Sequence, residues 1–159
     1  GVLHHTKDPY KAFEIICNSL KKEGYILIGL YNKIGRVRTL IRKYLSKLFG
    51  PKILNFLDPT LKKLKVSEDE KKSWINDQYF HPIESLHTLD EVLQWFKKND
   101  IDYVSSIPSC DFEIIQNYNE IFSNKPKGDL YSRLWNQFSM VFNRLGSDGG
   151  LFIVIGKKK

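Results

Sequence analysis

The sequence predicts an α/β fold. Three short apolar runs, Tyr25–Tyr31, Ile101–Ile107 and Leu151–Ile155, each follow a stretch of helical periodicity. Gly24-Tyr25-Ile26-Leu27-Ile28-Gly29-Leu30-Tyr31-Asn32 is the run around which the rest is arranged. Its two faces are both apolar, which reads as a strand buried on both sides under helices. Ligands of open α/β sheets sit beyond the carboxyl ends of strands, so a site is expected at Tyr31 and Asn32.

The elements follow in order. Gly1-Val2-Leu3 resembles the tail of a strand whose body has been cut away, so the chain is expected to be a fragment. Asp8-Pro9 is an N-cap with proline at the first helical position. Ala12, Phe13, Ile16, Cys17 and Leu20 then recur at helical spacing, with Lys21 and Lys22 in the last turn. Gly24 is expected as the left-handed cap. Beyond Asn32 the pattern turns helical: Ile34, Val37, Leu40, Ile41, Tyr44, Leu45 and Leu48 form one stripe, ended by Gly50-Pro51. Asp58-Pro59 and Ser67-Glu68-Asp69-Glu70 open two further helices, the latter through a capping box reaching about Trp74. Lys33–His87 is thus read as a basic helical insertion over the carboxyl edge of the sheet, the place of lids and substrate pockets.

Tyr79–His87 is a polar and aromatic connection. Thr88-Leu89-Asp90-Glu91 is a second capping box, and its helix buries Leu89, Val92, Leu93 and Phe96. The strand Ile101–Ile107 closes at Pro108. A short helix is expected at Phe112–Ile121, and Asp129 caps a helix striped with Leu130, Leu134, Phe138, Val141, Phe142 and Leu145. A Gly146–Gly150 turn, given no role, leads to the last strand, Leu151–Ile155.

The chain of 159 residues is long enough for one domain with a real core. No apolar run is long enough to span a membrane, and the start lacks a secretory pattern. Cys17 and Cys110 form no CxxC pair, which points away from a zinc ribbon or disulfide scaffold and toward a reducing, cytoplasmic setting. The net charge of +7 resides in one segment: Lys33–Lys72 holds 12 Lys/Arg against 4 Asp/Glu. Such a segment suits an anionic partner, or is simply a solvated lysine-rich surface.

Histidines are the first candidates for chemistry. His4-His5 follows the strand remnant, and His81 and His87 flank Glu84 as His-x-x-Glu-x-x-His. That spacing is not the zinc pattern His-Glu-x-x-His, and no metal is expected. His5 is singled out for its place at a strand's carboxyl end. The sequence holds no Gly-x-Ser-x-Gly elbow, Walker loop or Gly-x-Gly-x-x-Gly loop.

Gly1-Val2-Leu3-His4-His5-Thr6, then Asp8-Pro9, then Leu20-Lys21-Lys22-Glu23-Gly24-Tyr25 resembles the second half of a class I S-adenosylmethionine-dependent methyltransferase. Glu23 stands where that family has the first glycine of a pair. Ile28–Asn32 with Gly35-Arg36, His81-Pro82-x-Glu84-x-x-His87-Thr88, and Gly149–Gly156 resemble a bacterial "GVLHHT" subgroup. The resemblance implies that residues 1–159 are the C-terminal part of a Rossmann-like methyltransferase domain. It implies about three strands here, the last antiparallel and inserted between the preceding two. It implies methyl transfer from S-adenosyl-L-methionine to a small-molecule or lipid acceptor. The family's glycine-rich loop and ribose-binding acidic residue would lie upstream of Gly1, so weak cofactor binding is expected of this chain. By the same resemblance Gly1, Val2, Leu3 and His4 touch the cofactor, and His5 is the catalytic residue, which accepts the nucleophile's proton or holds the nucleophile by a hydrogen bond. Tyr31, Asn32, Arg36, Tyr79 and His81 would face the acceptor. Two alternatives stand beside this reading: an RNA methyltransferase half, and a non-enzymatic basic module binding nucleic acid or a membrane surface. Tyr44, Phe49, Phe56 and Trp74 are few and not interleaved with basic residues as base stacking requires, which disfavours nucleic acid.

Overall fold

The computed structural model describes residues 2–63, 67–110, 117–142 and 149–159. Gly1, the first half of the Phe112–Ile121 helix expectation, Leu145 and Gly146–Asp148 of the expected turn lie outside them. The described residues form an α/β fold with seven α-helices and a mixed, open sheet of four strands. The strands are β1 (Tyr25–Asn32), β2 (Leu86–His87), β3 (Ile101–Ile107) and β4 (Leu151–Lys158), in the order β2-β1-β4-β3. β2 runs parallel to β1, whereas β4 is antiparallel to both β1 and β3.

Helix α1 (Pro9–Ser19) starts where the Asp8 carboxylate accepts from the Lys11 N–H at 3.0 Å. It stops before Lys21 and Lys22, so those lysines lie outside its last turn. Glu23, not Gly24, takes the left-handed conformation, with φ of 63°. A left-handed backbone favours glycine, which explains physically why a glycine would suit that position. Helix α6 (Leu89–Lys98) opens with the complete capping box of Thr88 and Glu91. Its Leu89, Val92, Trp95 and Phe96 join Phe13 and Cys17 of α1 and Ile26, Ile28 and Leu30 of β1 in the main core. Burial pushes the Cys17 thiol up to about 11, so it is an inert core group. Gly156 lies inside β4, and a Cβ there would sit 2.5 Å from the Phe96 ring, so α6 packs directly on the strand backbone.

Several expectations are corrected. Val2 is exposed and Leu3–His5 is a single 3-10 turn, not the end of a strand. β1 is covered along its length on one face only: Ile26, Ile28 and Leu30 are buried, whereas on the other face Tyr25 and Leu27 are exposed and only Tyr31 at the end is buried. The strand count is four because Leu86–His87, a stretch too short to show periodicity, pairs with Tyr31 and Asn32. β4 extends three residues past Ile155 because both its neighbours continue to pair with it.

Among the described residues the basic segment carries four α-helices: α2 (Val37–Phe49), α3 (Leu54–Leu57), α4 (Pro59–Lys63) and α5 (Glu68–Phe80). Helix α5 runs a turn and a half beyond Trp74. A second small core of Leu54, Leu61 and Tyr79 holds this segment together. In α2 the apolar stripe points outward and Thr39, Arg42 and Ser46 are buried instead. Helix α7 (Leu130–Ser139), capped by Asp129, does likewise: Leu130, Leu134 and Phe138 are exposed while Asn136 and Gln137 are buried.

Candidate functional site

The carboxyl end of β1, the Leu3–His5 turn and the approach to β2 converge on one spot. Ring follows ring there. His81 lies 3.9 Å from His5, His5 4.1 Å from His4, and His4 4.5 Å from Tyr31. The Arg36 guanidinium then covers the Tyr31 ring at 3.6 Å. Beside this column a cleft of about 500 Å³ opens on the uncovered face of the sheet. His4, His5, Tyr31 and Asp77 line it, over a floor of Leu27, Gly29 and Ile153.

His5 and His81 share one anchor. The Nδ1 of each reaches the Ile83 carbonyl, at 2.9 Å and 2.7 Å. A ring that donates its Nδ1–H to a carbonyl keeps the Nε2 lone pair free, which sets His5 up to accept a proton; the His81 Nδ1 also faces the Ile83 N–H, at 3.3 Å. His4 differs: burial, then the neighbouring His5, hold it down to about 4 from its ordinary 6.5. Its Nδ1 and the Nε of Arg36 are buried nitrogens with no hydrogen-bond partner among the described residues.

The remaining expected contacts are committed elsewhere. Asn32 is fully buried: its carbonyl oxygen accepts the Ile34 and Gly35 N–H groups and its amide donates to Gln137 at 2.7 Å. It makes the turn that ends β1 and does not face the cleft. Arg36 is 1% exposed and donates to Glu84 at 2.5 Å, to the side chain and carbonyl of Gln78, and to the Gly149 carbonyl. It is a buried strut joining α2, α5 and the entry to β4. Tyr79 donates to Asp58 at 2.8 Å inside the second core, and burial with that carboxylate pushes its hydroxyl up to about 12. Of the expected cofactor contacts, Leu3 is part of the core, Val2 is exposed and Gly1 is outside the described residues.

Sequence reasoning missed Gln78 and Asp77, named Glu84 without its pairing to Arg36, and gave Gly149-Gly150 no role. Gly150 has φ of 82°, and a Cβ there would lie 2.6 Å from the Arg36 nitrogen. Its carbonyl accepts the Asn32 N–H at 2.7 Å. This close backbone approach seats Arg36, and two adjacent glycines before a strand are the one local signal of it.

Ser85, His87 and Glu91 also line up, with the Ser85 hydroxyl 2.8 Å from His87 Nε2 and His87 Nδ1 3.0 Å from Glu91. That is the order of a nucleophile, base and orienting acid. Yet the same hydroxyl lies 3.2 Å from the His4 carbonyl, to which the Ser85 N–H also donates. His87 is buried against Trp95. The trio ties the Leu3–His5 turn to β2, and none of its members lines the cleft. Among the described residues no group of three or more His, Cys, Asp or Glu side chains could hold a metal ion.

For S-adenosylmethionine the fit is one-sided. The orphaned His4 nitrogen and the apolar cleft floor suit the rim of a bound cofactor. None of the residues that line the cleft forms a glycine-rich cradle, and Asp77, its one carboxylate, lies on the α5 side. Compared with known proteins, the chain matches no family model and no curated relative.

Proposed function

We propose that this chain forms the acceptor side of an S-adenosylmethionine-dependent methyltransferase acting on a small molecule or lipid. The observation that carries the reading is the sheet order. An antiparallel last strand, β4, is inserted between two strands that precede it, as the sequence resemblance implies. The cleft supports it too, because it opens at the carboxyl end of β1.

The cofactor supplies an activated methyl group when bound; Val2 and His4 would stand at its rim. The chain's own residues position the acceptor and manage its proton. Leu27, Gly29 and Ile153 offer an apolar floor, and Tyr31, held by contacts with His4 and Arg36, forms a wall. His5, with its Nδ1 tied to the Ile83 carbonyl, takes the acceptor's proton at Nε2. His81, held by the same carbonyl, supports the His5 ring.

The test is transfer of a labelled methyl group into lipid and aqueous extracts by the full-length protein. Wild-type protein is expected to label one fraction, and His5→Gln to lose about 10²–10⁴-fold of that turnover, the usual range for a positioned base. Normal turnover in His5→Gln would remove the base assignment, and no S-adenosylmethionine binding by the full-length protein would sink the reading.

A further inference from the structure

The outward stripe of α2 does not belong to the cleft, and its chemistry points to a partner. Val37, Leu40, Ile41, Tyr44, Leu48 and Phe49 are all exposed, on a helix whose inward face is Thr39, Arg42 and Ser46. The helix cannot roll to hide this stripe. Arg36 at its start is locked to Glu84, Gln78 and Gly149, and Gly35 is pressed against Gly150 and Met140. An apolar surface held outward in this way marks an interaction site.

Charge selects the partner. From Lys33 to Leu57 there are seven Lys/Arg and no Asp/Glu. Arg38 and Lys47 are exposed beside the stripe, and Lys43 is half-buried at its margin. A second copy of this face would bring like charges together with no acid to offset them. Nucleic acid would neutralise the cations but leave the aliphatic stripe in water. An anionic bilayer satisfies both: the stripe enters the acyl boundary and the cations meet the headgroups. We propose that α2 docks this protein on the surface of an anionic membrane, lying in the plane of the interface. The proposal stands on α2 alone and does not depend on methyl transfer.

Co-sedimentation with vesicles tests it, comparing pure phosphatidylcholine with phosphatidylcholine containing phosphatidylglycerol. The protein is expected to pellet with the anionic vesicles and to be released by salt. Ile41→Glu with Leu48→Glu should weaken binding at least about tenfold, since each charge must enter the apolar boundary. Lys43→Gln and Lys47→Gln should each weaken it about fivefold. Tyr44→Ser, at a side chain 68% exposed, provides a milder variant that keeps the fold, checked by an unchanged melting midpoint. Failure to pellet with anionic vesicles would overturn the proposal. So would binding that ignores the glutamate substitutions, tighter binding to a single-stranded oligonucleotide, or a dimer in vesicle-free ultracentrifugation that those substitutions dissolve.

Discussion

Helices α6 and α2 both carry a plain amphipathic pattern, and the protein uses the two in opposite senses. In α6 the apolar side is the buried side: Val92 and Phe96 are shielded by β4 and α1. In α2 the apolar side faces outward, and a threonine, an arginine and a serine face in. The difference lies in what anchors each helix. α6 is anchored by its stripe. α2 is anchored by polar ties at its first turn, where Arg36 and Glu84 form a pair that is nearly sealed from solvent. Amphipathicity therefore marks a stripe that wants cover, and the anchors decide whether the rest of the chain supplies it.

That contrast can be broken or sharpened by measurement. The largest effect is expected for Phe96→Ala, which empties the centre of the α6 interface and should cost about 3–5 kcal/mol in denaturant unfolding. Next is Arg36→Gln. It strands the Glu84 carboxylate in a buried site and should cost about 3 kcal/mol or more. A loss below about 1 kcal/mol would mean that α2 is held by something other than this pair.

The third expectation concerns pH. His4 lies against the Tyr31 ring that Arg36 covers, tilted to it by 53°, and its folded pKa of about 4 lies below its ordinary 6.5. Between those values the unfolded chain holds the proton and the folded chain does not. Stability should therefore fall as pH drops from 6.5 toward 4, with a slope approaching about 1.4 kcal/mol per pH unit. His4→Gln should flatten that slope; an unchanged slope would assign it to other groups.

Smaller effects separate the helix starts. Thr88→Ala removes half of the α6 capping box and should cost about 1 kcal/mol. α2 has no side-chain cap to lose. The smallest effect is expected for Ile41→Ser on the exposed stripe, within about 0.5 kcal/mol of wild type in the absence of vesicles. If Ile41→Ser cost as much as Phe96→Ala, the stripe would be covered in solution and the comparison would fail.

The sequence by itself determined what local chemistry determines. Asp8-Pro9, Ser67–Glu70, Thr88–Glu91 and Asp129 set helix starts, because a cap needs just a side chain and an N–H two or three residues on. The three apolar runs became three strands for the same reason. Long-range packing alone decided the rest. It turned the stripes of α2 and α7 outward and gave Leu86–His87 a strand partner more than fifty residues away. It also gathered His4, His5, Tyr31, Arg36 and His81 into one column. His5 and His81 could be named as candidates from sequence, but the carbonyl that orients both belongs to Ile83, and a backbone oxygen leaves no trace in residue identity. Arg36, Asn32 and Tyr79 have side chains that suit a ligand, yet folding had already given each a protein partner. Periodicity reports which residues share a face; what lies against that face is set by contacts that the local pattern does not contain.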